Sequence, residues 1–158
     1  MEIIPFCVYI KKMKQFFFSI ICILIFLRGC TQSKEDISEI KFYADYCFGT
    51  CPVFEMTIDN DRSASYKAIE YNTLKGLFNT KIAKLQFDSL MFLISEANLF
   101  SLKNGYNISA TDHPTYTLTV KLKNGKTKTI TDYGPAGPKK LRLVYAKIFA
   151  LRDSQDWK

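Results

Sequence analysis

The segment Cys47-Phe48-Gly49-Thr50-Cys51-Pro52 restricts the path of this chain more than any other stretch of it. Four steps of extended strand would carry the two cysteine Cα atoms roughly 13 Å apart, whereas a disulfide needs about 4.4–6.8 Å. If the thiols are joined, the backbone must double back between them. Gly49 supplies the freedom for positive φ that a tight reversal needs. Pro52 restricts Cys51 to extended geometry, so that a strand leaves directly. Closing so small a loop removes little unfolded-state entropy, about 2 kcal/mol, so the bond would shape a corner more than hold a fold.

Whether the thiols meet an oxidant depends on compartment, and the front of the chain speaks to that. Lys11, Lys12 and Lys14 precede an apolar run from Phe16 to Leu27, which ends in Leu27-Arg28-Gly29-Cys30. A basic opening, a short apolar stretch and a small residue before the cut describe an export signal. The run covers 12 residues, below the roughly 18 that span a bilayer comfortably. An uncleaved anchor and a cytosolic chain with an apolar leader are the alternatives. The last four residues resemble the lipobox of bacterial lipoproteins, in which the signal is cut before a cysteine whose sulfur is diacylated. Gly29 and Cys30 fit that pattern, and Arg28 departs from it, because that position is usually small or uncharged.

The expected organisation is a lipoprotein signal over 1–29, lipidated Cys30 and a polar tether over 30–38, and a single domain over 39–158. Met13-Lys14-Gln15-Phe16 would open a compact signal by itself, which makes Met13 an alternative start to Met1. Lys34-Glu35-Asp36 resembles the lysine-plus-acids signal that sends some Bacteroidota lipoproteins to the outer face of the outer membrane. The periplasmic and the surface face both remain open. The expected partners are the membrane, through the N-terminal lipid, and an envelope protein or ligand.

Five cysteines then sort by fate. Cys7 and Cys22 leave with the signal, Cys30 becomes a thioether, and Cys47 and Cys51 remain as a pair that an oxidising compartment is expected to join. Charge sorts too: Lys11, Lys12, Lys14 and Arg28 against Glu2 leave with the signal, taking the formal net charge from +7 to +4. So mild a balance outside the cytoplasm argues against nucleic acid as a partner.

Sharper readings of the cysteine pair stay beside the staple. A redox dithiol usually stands as Cys-x-x-Cys at the start of a helix, where the dipole lowers the thiol pKa. Here the spacing is one longer and a strand follows. The segment also looks like the Cys-x-x-x-Cys-Pro of thioredoxin-fold copper chaperones, whose third ligand is a distant histidine. His113 is the sole histidine, and two thiolates with an imidazole would suit Cu(I). The βαβ pattern of that fold is missing. Zinc lacks a fourth ligand, and no cofactor is expected.

Beyond the leader, period-two alternation predicts strands. Ile40, Phe42 and Ala44 alternate with Lys41, Tyr43 and Asp45, and Val53–Ile58, Ser63–Tyr71 and Leu77–Ile82 follow as strands with turns between them. Phe87, Leu90, Met91, Ile94 and Ala97 form one stripe of a helix over about 83–97. Residues 98–110 read as irregular. Thr115–Leu122 and Thr127–Asp132 flank Asn124-Gly125, the strongest short hairpin signal. Pro138 opens a final helix striped by Leu141, Val144, Tyr145, Ile148 and Leu151, with Arg152 off the stripe and Trp157 capping the core. The predicted class is α+β, in the order β-β-β-β-α-β-β-α, an antiparallel sheet with two helices packed on one face.

The run Cys47-Phe48-Gly49-Thr50-Cys51-Pro52-Val53-Phe54 and the pattern after it resemble domain of unknown function 6438, found in envelope proteins of Bacteroidota and related bacteria. The resemblance covers roughly residues 38–157. It implies an exported bacterial domain and a hexapeptide of structural or functional importance. It carries no catalytic residue with it.

Enzyme chemistry would rest on Asp112, His113, Asp132 and Tyr133. Asp112-His113-Pro114 enters the hairpin and Asp132-Tyr133 leaves it, so antiparallel pairing brings the two acids to one end of the sheet. Such a set suits acid-base hydrolysis, although loop aspartates more often cap turns. The competing expectation is a non-enzymatic binding or structural domain whose aromatic residues Tyr43, Tyr46, Phe48, Phe54, Tyr66 and Tyr71 either form a surface or fill the core.

Overall fold

Alternation does build the sheet. Ile40, Phe42 and Ala44 on one strand, Phe54, Met56 and Ile58 on the next, Ala64, Tyr66 and Ala68, then Leu118, Val120 and Ile130 are all buried, while their sequence neighbours are mostly exposed or half-buried. One face of every long strand therefore joins a common core. The computed structural model describes residues 37–158. The export signal, the alternative start at Met13, the lipidation of Cys30 and most of the tether lie outside the described residues.

The elements are β1 (Ile37–Ala44), β2 (Val53–Asp59), β3 (Ser63–Glu70), β4 (Gly76–Lys81), α1 (Lys84–Ala97), β5 (Gly105–Tyr106), β6 (Thr115–Leu122), β7 (Thr127–Tyr133) and α2 (Lys139–Ser154). The strands form a seven-stranded, mostly antiparallel sheet in the order β4-β3-β2-β1-β6-β7-β5. The class is α+β, as expected, and the element order differs by one strand. Residues 105–106, read as irregular, pair parallel with β7 at Thr131 and Asp132. Two residues carry no periodicity, and main-chain anchors put them there: the Thr131 amide donates to the Asn104 carbonyl at 2.9 Å. Lys128 adds its ammonium to Leu102 O and Asn104 Oδ1. β1 also starts earlier than expected, at Ile37, because Ile37 pairs with Leu122 across a local irregularity of the ladder.

Both helices bury the stripes their spacing predicts, Phe87 to Ala97 on α1 and Leu141 to Leu151 on α2, within the same core as the sheet. They lie side by side, with Lys140 reaching Glu96 at 3.2 Å and Lys147 reaching Gln86 at 2.8 Å. The exposed Lys140–Glu96 pair contributes under about 1 kcal/mol. Burial does far more. Phe42 has the rings of Phe54, Tyr116, Tyr145 and Phe149 within 5.5–5.8 Å, and truncating such a ring costs about 3–5 kcal/mol.

Register decides which loops meet. Ala44 pairs with Phe54 and Tyr116, Val53 with Glu70, and Thr115 with Tyr133. Loops 45–52, 71–75, 107–114 and 134–138 therefore gather at one end of the sheet. That end holds Cys47, Cys51, Asp112, His113, Asp132 and Tyr133.

Candidate functional site

Loop 45–52 leaves β1 through a fixed set of main-chain contacts. The Asp45 amide donates to Thr115 O at 2.9 Å, the Tyr46 amide to Asp45 Oδ1 at 2.8 Å, and the Gly49 amide to Cys47 O at 2.9 Å. Cys47 and Cys51 stand at disulfide distance, with Cα atoms 5.8 Å apart. Gly49 has φ +150°, and a Cβ there would meet only Cys47 Sγ at 3.9 Å. The requirement for glycine is thus conformational rather than spatial.

The reversal pushes one ring outward. Phe48 is 88% exposed, beside Tyr46 at 51% and Tyr71 at 50%. The Glu70 carboxylate next to Tyr46 raises its phenol's pKa, and Tyr71 lies close enough to add to that shift. The six aromatic residues considered from sequence thus divide. Phe54 and Tyr66 fill the core, Tyr43 is half-buried with its hydroxyl donating to Asp45 Oδ1 at 3.1 Å, and Tyr46, Phe48 and Tyr71 stand at the surface.

Beside this loop is a groove of about 390 Å³ whose wall includes Pro52, Tyr66, Tyr71, Asn72, Arg152 and Trp157. Arg152 lies over the rings of Phe54 and Phe149, at 5.4 and 5.1 Å from their centroids, as a flat, weakly hydrated guanidinium can. Its Nε and Nη2 bind the two oxygens of Asp153 at 2.8 and 3.2 Å. Trp157 Nε1 donates to Arg152 O at 2.8 Å, and its ring sits 5.1 Å from that of Tyr66. Asn72 gives both Nδ2 hydrogens to the carbonyls of Val53 and Glu70, each at 2.7 Å. The spacing along α2 puts Arg152 off its buried stripe, and Asn72 falls in the loop between β3 and β4. No local pattern marks either residue, because the groove forms only when the end of α2 meets the β3–β4 loop.

The residues considered for acid-base work occupy unlike surroundings. Asp132 is fully buried, and its carboxylate accepts from Ala136 N at 2.7 Å and from Gly137 N at 3.1–3.2 Å. A Cβ on Gly137 would fall 2.7 Å from Asp132 Oδ2, so glycine permits this close approach. The carboxylate secures the entry to α2, which has no side-chain cap. Asp112 is exposed, with φ +71°, and accepts from Thr111 Oγ1 at 3.1 Å. His113 is paired with Tyr133: its amide donates to the phenol oxygen at 3.4 Å, and the rings meet edge-on at 6.3 Å. Tyr145 is buried and its hydroxyl makes no well-formed hydrogen bond among the described residues. Burial first, and then the nearby Asp132 carboxylate, push its phenol's ionisation upward. Among the described residues no three His, Cys, Asp or Glu side chains converge to hold a metal ion.

Together these features define a class: an α+β domain whose mostly antiparallel sheet turns, after its first strand, through a corner closed by two cysteines at disulfide distance. The chain belongs to the family described as Domain of unknown function (DUF6438), which it matches over residues 38–152. The match takes in the hexapeptide, all of the sheet but Ile37, and nearly all of α2. No curated protein matches the chain.

Proposed function

We propose that this protein is an exported bacterial cell-envelope lipoprotein, anchored through Cys30, whose domain is a non-enzymatic binding module. The basic and apolar leader with its lipobox-like end supports export and anchoring. The binding reading is carried by one observation, the 88% exposure of Phe48 in the three-residue stretch between two cysteines. A large apolar ring held out in water gives up transfer free energy on the order of 2 kcal/mol or more, and a closed loop limits the ordering cost when a partner covers it. Tyr46 and Tyr71 extend the surface with rings that have one apolar and one polar side, a composition favoured at recognition sites.

Photo-crosslinking from position 48 tests the reading. A benzoylphenylalanine at 48, expressed in the native envelope, is expected to give a discrete adduct, whereas the same residue at Phe92, 63% exposed on α1, is not. Equal adduct patterns from the two positions, or none from 48, would remove Phe48 as a recognition point.

A further inference from the structure

We infer that the outer face of the α1–α2 layer rests on an anionic phospholipid bilayer, the one that holds the lipid anchor. The inference deepens the anchored reading above and depends on it. At 3.6 residues per turn, Leu85 and Phe92 fall opposite the buried stripe of α1, and Lys139 and Leu143 opposite that of α2. The apolar three stand in water: Leu85 is 83% exposed, Phe92 63% and Leu143 43%. The Lys140–Glu96 and Lys147–Gln86 contacts make the two helices antiparallel and put Phe92 and Leu143 near the middle of the layer.

Charge selects the occupant. The two helices carry six Lys and Arg against three Asp and Glu, six minus three or +3, which is most of the +4 held by residues 30–158. Lys84, Lys140 and Arg152 each bond one of those acids. That leaves Lys139 and Arg142, both exposed, and Lys147, which meets the neutral Gln86. Apolar side chains among cations left without an acid are the composition of helices that lie in the interface of an anionic membrane. Neither the groove at the end of α2 nor the cavity at Ile37 is lined by Leu85, Phe92 or Leu143. They stand out from the layer, and a fluid surface conforms to such side chains without a preformed pocket.

Position agrees with charge. Ile37, Lys84 and Phe87 share the wall of one cavity, so β1 begins beside the first turn of α1, where Leu85 stands. Ile37 follows Cys30 by seven residues, and so short a run reaches about 25 Å when fully extended.

The lipidated chain, recovered from the envelope, is inserted into preformed vesicles of phosphatidylethanolamine with phosphatidylglycerol, or of phosphatidylcholine, each with brominated acyl chains. Dansylalanine replaces Leu143, or Lys41 on the sheet face turned away from the core. The expected result is quenching at position 143 and not at 41, confined to the anionic vesicles and reversed by salt at about 1 M. With the label at 143, Lys139→Ala and Arg142→Ala each lower the ratio of docked to free domain roughly fivefold. Phe92→Ala lowers it roughly tenfold, and all three keep the thermal midpoint. In the photo-crosslinking above, position 92 then yields lipid adducts spread in mass rather than a discrete product. Equal quenching at 41 and 143, or quenching indifferent to Lys139→Ala and Arg142→Ala, would overturn the proposal. So would protection of position 143 in native envelope fragments but not in vesicles, which would assign the face to a protein. An acylated chain that floats with the vesicles while position 143 stays unquenched keeps the anchor and loses the docking. A chain whose mass shows no acyl group, yet whose label at 143 is quenched by anionic vesicles, keeps the face and loses the anchor.

Discussion

Removing the cysteine pair isolates what the closed corner contributes. In the double variant Cys47→Ala/Cys51→Ala, a loop of five residues is released from the unfolded-state constraint, which on the chain-entropy relation is worth about 2 kcal/mol at 25 °C. The structure gives reason to expect little else. Ala44, Val53 and Phe54, which flank the loop, are fully buried and keep their β1–β2 and β2–β3 partners, and the Asp45 amide keeps Thr115 O. With an unfolding entropy of about 2.1 cal/mol/K per residue, a domain of this size loses roughly 8 °C in Tm. Circular dichroism melts and guanidinium titrations of the variant, and of wild type with dithiothreitol, are expected to agree on that shift with an unchanged m-value. A loss of 4 kcal/mol or more would show that the pair supports the core. No loss in either form would show that Cys47 and Cys51 are not joined in solution.

Three further outcomes follow from the same geometry. Asp132→Ala leaves the Ala136 and Gly137 amides without their charged acceptor and is expected to cost about 2–3 kcal/mol in urea unfolding; a cost below about 1 kcal/mol would refute its anchoring role. Gly49→Ala forces an L-residue to φ +150° and should cost about 1–3 kcal/mol, read by the same titration. Tyr145 holds its proton in the folded state beyond the pH at which the unfolded phenol releases it. Its contribution is complete below pH ~10 and falls as pH rises further, by about 1.4 kcal/mol per unit. Tyr145→Phe should flatten the alkaline limb of a stability–pH curve, and an unchanged limb would assign that slope to other groups.

Side-chain pattern was legible wherever a residue's face decides its burial. The spacing of Phe87 to Ala97 and of Leu141 to Leu151, and the Asn124-Gly125 turn with Gly125 at φ +86°, follow directly from sequence. Main-chain relations were not. The pairing of β1 with β6, strands some seventy residues apart, leaves no local trace, and two-residue β5 is defined by its pairing with β7 and steadied by the Asn104 and Lys128 contacts. Asp132 ends the strand expected for it, and two residues after buried Ile130 the period of two puts it on the core face. There two backbone amides near 3 Å offset the desolvation of the carboxylate. The exposed Phe48 shows the converse, an aromatic residue that a closed corner keeps out of the core.

The most direct test of an exported, lipid-anchored domain with a closed recognition loop is the intact mass of the protein recovered from the envelope, before and after alkylation. The expected mass lacks residues 1–29, carries the acyl groups on Cys30, and is two hydrogens lighter than the dithiol at Cys47 and Cys51, with no alkylation until a reductant is added. A full-length, unlipidated chain that takes up alkyl groups at both cysteines without reduction would contradict the export, the anchor and the closed loop together.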